Sequence, residues 1–134
     1  MTEENRRKNL AQEVERASAA FRAAEALLGL ALYADSISRA YYAAFHVARA
    51  LLLSRGIEPK THAGAVHQLN AEFIRPGLLA TSFNRLFAGL QRSREFADYD
   101  AAVTFSEEDA RAELDAARAF EKTALELLSA EGWL

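Results

Sequence analysis

Leu10, Val14, Ala17, Phe21, Ala24 and Leu28 recur at alternating steps of four and three residues. A strand would scatter these six side chains over both of its faces. An α-helix turning ~100° per residue lines them up as one apolar seam. Such a seam must be covered by other helices, because alone it would leave its apolar face in water. The pattern therefore predicts a first helix from about Glu3 to Leu28, packed inside a helical protein.

The rest of the chain agrees. Alanine, leucine, glutamate and arginine dominate, and no window alternates with period two for long. The only two prolines, Pro59 and Pro76, stand where helices should stop. A second helix is expected from about Asp35 to Arg55, with Gly56 as its C-terminal cap. A shorter third follows Thr61 and ends before Pro76, and a fourth begins near Thr81 or Ser82 and reaches about Tyr99. The fifth opens on "SEED", with Ser106 as N-cap and Asp109 three residues on, close to a capping box. It continues to about Ala130 with Ala110, Leu114, Ala117, Ala124, Leu125 and Leu128 inward, and its acidic residues read as a solvated face. The fold class expected is all-α: an up-and-down four-helix bundle with an additional short helix, in one domain spanning residues 1–134.

Composition narrows the function. At 51% hydrophobic and 26% charged, the chain can fill a core and stay soluble. No apolar run reaches the ~20 residues of a membrane span, and no apolar segment follows the charged start "MTEENRRKNL", so neither an anchor nor a signal peptide is expected and the location expected is cytoplasmic. The absence of cysteine excludes disulfides, thiolate zinc sites and a cysteine nucleophile. A net charge of −3 gives no global nucleic-acid footprint and leaves room only for a local basic patch.

The second helix carries such a patch. On a helical wheel Asp35, Arg39, Tyr42, His46 and Arg49 fall within an arc of roughly 80°, while Ile37, Tyr41, Ala44, Phe45, Ala48, Leu51 and Leu52 fall opposite. The polar arc has no Glu or Lys. It is either a wet face with a capping aspartate or a site in which guanidinium forks hold phosphate and an imidazole exchanges protons near neutral pH. The fourth helix adds a residue out of place. Phe83, Leu86, Phe87, Leu90 and Ala97 define its apolar stripe, and Arg94 lies within it. A buried guanidinium needs a partner, and Asp98, four residues on, is in reach. Arg94 thus forms a structural bridge, points into a polar pocket between the second and fourth helices, or does both. In "KTHAGAVH", Thr61 is a plausible N-cap, and Lys60, His62 and the first-turn amides could form an anion site. His62 and His67 are five apart, a poor spacing for joint ligation, so no metal and no cofactor is expected.

Three stretches together resemble the HEPN superfamily, in particular its small stand-alone bacterial and archaeal proteins. They are "SRAYYAAFHVARALL" with Gly56 after it, "KTHAG", and "REFADYD" followed by "FSEEDA". Their order and spacing match over about residues 30 to 120. The resemblance implies a bundle of four to five helices and dimerisation through a helical face. It also implies a partnership with a minimal nucleotidyltransferase in a toxin–antitoxin or defence pair, and for many members metal-independent RNA cleavage. The cleaving members present an arginine, four to six residues of spacing and a histidine at a dimer cleft. Arg39 and His46 fit that spacing, although the motif usually lies on a later helix. Arg94 is the arginine closest in position, but Asp98 and Tyr99 follow it in place of a histidine, and Glu95 stands beside it.

Three readings follow. The first is a HEPN-like module that binds RNA or a nucleotide without turnover, beside a nucleotidyltransferase partner. The second is a ribonuclease in which Arg39, His46 and Arg94 are catalytic, with Asp35, Tyr42, Lys60, His62, Asp98 and Tyr99 in binding roles. The third is a structural homodimer whose polar stripe is its interface.

Overall fold

The computed structural model describes residues 2–134 as five α-helices: α1 Glu3–Gly29, α2 Tyr33–Leu53, α3 His62–Leu69, α4 Ser82–Tyr99 and α5 Glu107–Ala130. Helix α3 runs on into one π-helical turn, Asn70–Ile74. No strand occurs among the described residues. The all-α bundle of four long helices and one short one is as the sequence predicts.

Contacts between the helices fix their directions. Glu13 meets His46 and Arg49, and Ser36 Oγ donates to the Ala24 carbonyl at 2.8 Å, so α1 and α2 are antiparallel. Ser38 meets Asp98 near the start of α2 and the end of α4. Phe87 packs on Phe120 and Ser93 bonds Glu113, which sets α4 against α5. Helix α2 is the centre. Fourteen of its residues are buried, including Ala40, Ala43, Val47 and Ala50, because α1, α3, α4 and α5 all pack on it. Alanine recurs where the neighbouring helices approach, leaving room for their side chains.

The seam of α1 is buried at Leu10, Ala17, Phe21, Ala24 and Leu28 and half-buried at Val14. Helix α5 buries Ala110, Leu114, Ala117, Ala124 and Leu128, leaves Leu125 half-buried and adds Phe120, an inward residue beyond those expected. Phe120 is fully buried, with the rings of Phe83 and Phe87 edge-on at 5.1 and 5.2 Å, and so ties α4 to α5.

The ends of the helices follow their local chemistry. Helix α2 starts two residues before Asp35 and closes in a Schellman turn rather than running to Arg55. There the Ile57 and Gly56 amides return to the Leu52 and Leu53 carbonyls, with Gly56 at φ +73°. Helix α1 ends in the same turn, but the residue at positive φ is Ala31, at +61°. Ser106 and Asp109 form the reciprocal capping box of α5, at 3.1 and 2.9 Å.

Candidate anion-binding site

Beside the front of α2, helix α1 carries Ala19, exposed, and Ala20 and Ala23, half-buried. Their short side chains leave a groove of about 410 Å3 between the two helices, lined also by Arg16, Arg39, Tyr42 and His46. Steps of three and four along α2 put Arg39, Tyr42 and His46 on that one face. The guanidinium of Arg39 lies 4.8 Å from the centre of the Tyr42 ring. A guanidinium over a ring face keeps its N–H edge available. Among the described residues, neither Arg16 nor Arg39 makes a hydrogen bond or an ion pair. The groove therefore holds two cations with unspent donors.

His46 is positioned from behind. Its Nδ1 lies 2.7 Å from Oε2 of Glu13, whose Oε1 accepts from Arg49 Nε at 3.2 Å. The Glu13 side chain is only 12% exposed, so its charge must be compensated where it stands. Burial by itself would raise its pKa. The His46 hydrogen bond and the Arg49 charge outweigh that and hold the carboxyl below its ordinary value. An ionised Glu13 accepts from Nδ1–H. That fixes the tautomer of neutral His46 and leaves Nε2 as the nitrogen with no protein partner.

A second cluster lies across Tyr42, where α4 meets α2. The Arg94 side chain is 14% exposed, and its guanidinium is 4.8 Å from the Tyr41 ring and 5.8 Å from the Tyr42 ring. Tyr42 is thus shared by Arg39 on one helix and Arg94 on another. Arg94 Nη1 donates to Asp98 Oδ2 at 3.3 Å, and the other carboxylate oxygen accepts from Ser38 Oγ at 2.7 Å. Arg94 Nε is buried without a partner. The expected Arg94–Asp98 bridge is present, and it stands at the edge of a polar site as well.

At the start of α3, Thr61 caps the helix by accepting from the Gly64 amide at 2.9 Å. The ring of His62 turns inward, 4.2 Å from the Phe45 ring, with its Nδ1 2.7 Å from the Tyr41 hydroxyl. Burial first, then the charges of Arg94 and Arg49, hold His62 below its ordinary pKa. Burial pushes Tyr41 up. Near neutral pH the Tyr41 hydroxyl therefore donates to a neutral His62.

Of the residues singled out from the sequence, Arg39, Tyr42 and His46 line one groove, while Arg94 and Asp98 adjoin it through Tyr42. His62 is linked to the second cluster through Tyr41. Asp35 is exposed in the first turn of α2, Lys60 is exposed before α3, and Tyr99 is 78% exposed at the end of α4. None of these three lines the groove. Sequence reasoning missed Glu13, Arg16 and Ser38. Glu13 carried a readable signal: three after Leu10 and four before Ala17, it is a charge inside an apolar seam, as Arg94 is. No metal-ligating cluster occurs among the described residues, and no helix is long and apolar enough to cross a membrane.

Comparison with known proteins adds the following. The family model of the HEPN domain matches residues 11–128. A protein of Methanocaldococcus jannaschii named as a candidate toxin is 37% identical over 86 residues, which cover 64% of this chain and 64% of that protein. The chain thus spans just under two thirds of that relative's length. A second protein of the same organism, also named as a candidate toxin, is 32% identical over 104 residues, covering 78% and 71%. A UPF0332 protein of Gloeobacter violaceus is 32% identical over 117 residues, covering 87% and 93%.

Proposed function

The chain belongs to the HEPN family, and on that footing we propose that it is a toxin-type helical module that binds RNA or nucleotide phosphates in the α1/α2 groove. The observation that carries this reading is the pair of unpaired guanidiniums, Arg16 and Arg39, beside Tyr42 and His46 in that groove. Phosphate oxygens match the donor edge of arginine. The names of the two Methanocaldococcus jannaschii relatives support the toxin class. A minimal nucleotidyltransferase partner and a homodimer belong to the same proposal and rest on the family resemblance.

The test is fluorescence anisotropy with a labelled single-stranded oligouridylate carrying 2′-O-methyl groups, which cannot be cut through the ribose hydroxyl. Wild type should bind with affinity that falls as salt rises, and Arg39→Ala and Arg16→Ala should each weaken binding by about tenfold. Each should also lower the slope of log K against log salt by about 0.7. Binding that is indifferent to both substitutions would remove the groove from the proposal.

The Glu13–His46 hydrogen bond favours a second reading, a metal-independent ribonuclease using Arg39, His46 and Arg94. In that reaction Nε2 of His46 takes the proton of a ribose 2′-hydroxyl as its oxygen attacks the adjacent phosphorus; the P–O5′ bond breaks to leave a 2′,3′-cyclic phosphate, and the departing 5′ oxygen takes a proton from water. The guanidiniums stabilise the charge that builds on the phosphoryl oxygens. Purified protein should then cut unmodified RNA in EDTA, and His46→Ala should abolish cutting. Equal cutting by His46→Ala would eliminate this mechanism.

A further inference from the structure

Arg94 lies on the α4 side of Tyr42, next to the α1/α2 groove but not lining it, and its charge is already met. Asp98 meets it poorly. The contact is a single 3.3 Å bond from Nη1 to Oδ2, not the two parallel bonds of a fork on a carboxylate, and Nε is left buried with no acceptor. The second carboxylate oxygen is committed elsewhere, to Ser38 Oγ at 2.7 Å. Asp98 is therefore anchored to α2 more tightly than it is bonded to Arg94. The guanidinium meanwhile rests on the Tyr41 and Tyr42 rings. The Tyr41 and Tyr99 hydroxyls also lie close enough to interact with its donor edge.

We propose that Asp98 is an internal stand-in for phosphate: it occupies the position at Arg94 that a nucleic-acid phosphate would take, and it keeps Arg94 out of the anion site until it is displaced. The proposal rests on the anion-binding reading of the groove and specifies how that site is regulated. Three features make displacement workable. The Arg94–Asp98 pair is a single 3.3 Å contact, without the second parallel bond that strengthens an arginine–carboxylate fork. The exchange swaps one anionic oxygen for another, so the buried guanidinium is never left bare. Tyr42 is common to Arg39 and Arg94, so a chain of phosphates leaving the Arg39 side passes the ring on which Arg94 lies.

The experiment uses the same 2′-O-methyl oligouridylate. Asp98→Asn should tighten binding by about three- to tenfold at low salt and steepen the slope of log K against log salt by about 0.7, the increment for one more phosphate contact on a single strand. Asp100→Asn removes the same formal charge two residues away, where the side chain only accepts from the Ala102 amide, and should leave both quantities unchanged. Ser38→Ala frees the carboxylate without altering charge and should give an intermediate gain, which keeps the proposal testable if Asp98→Asn folds poorly. The gain should vanish in Arg94→Ala/Asp98→Asn. Equal effects of Asp98→Asn and Asp100→Asn, or a gain that survives loss of Arg94, would overturn the stand-in while leaving Arg39-dependent binding intact. No binding by wild type, Asp98→Asn or Ser38→Ala would overturn the groove reading and this inference together.

Discussion

Two residues carry most of the pH dependence expected of this site. Glu13 and His62 both have folded pKa values below their ordinary ones. The unfolded chain therefore binds more protons as pH falls, and stability declines toward acid for each group. For His62 the loss begins below its ordinary value of 6.5 and proceeds as pH falls through the lower folded value. For Glu13 it begins below 4.5 and again continues through the folded value. Urea unfolding followed from about pH 8 to about pH 2.5 should show two successive declines. His62→Gln should remove the upper one and Glu13→Gln should shrink the lower. Glu13→Ala should also destabilise by about 2 kcal/mol at neutral pH, because it strips His46 and Arg49 of their shared acceptor. Arg94 was recognisable in the sequence as a charge in an apolar stripe, and the same test applied to α1 finds Glu13. Arg16 and Ser38 broke no local pattern, and only their neighbours in space make them part of the site.

At the scale of the elements, the turn after α1 is strained and the turn after α2 is not. Both are Schellman turns, but Ala31 occupies the left-handed position at φ +61° where Gly56 occupies it at +73°. A side chain with a Cβ costs about 1 kcal/mol there, and glycine relieves it. Ala31→Gly should therefore raise stability by about 1 kcal/mol, seen as a melting temperature about 4 °C higher. Gly56→Ala should lower it by a similar amount, because the added Cβ sits at positive φ while Arg6 Nη2, 3.2 Å away at the end of a flexible side chain, can shift. Gly56 and the Ser106/Asp109 box were legible because caps are local. The turn at Ala31 was not, because alanine gives no signal for positive φ.

Across the whole molecule the helices are unequally held. Helix α2 buries fourteen residues, whereas α4 fully buries only Phe87 and Leu90 and leaves Phe96 43% exposed and Tyr99 78% exposed. Amides of α4 should exchange with solvent at a lower opening free energy than those of α2, as read by native-state hydrogen exchange. Phe120→Ala removes the ring against which Phe83 and Phe87 pack. It should cost about 3–5 kcal/mol and accelerate exchange in α4 more than in α1. Arg94 and Asp98 ride on that helix, so their contact should open with it more readily than the α1/α2 groove does.

The sequence by itself determined the helices, the caps at Gly56, Thr61 and Ser106, the all-α bundle and the charge of Arg94 within an apolar stripe, because each depends on residues within one or two turns of one another. It also placed Arg39, Tyr42 and His46 on one face. The tertiary structure alone decided what that face meets. Glu13 reaches His46 across 33 residues and Ser38 reaches Asp98 across 60. Tyr42 becomes shared between Arg39 and Arg94 only once α4 lies against α2. Periodicity fixes the direction of a side chain relative to its own helix axis. Which charge neutralises which is set by how the helices pack, and that pairing separates a guanidinium with donors to offer from one already engaged.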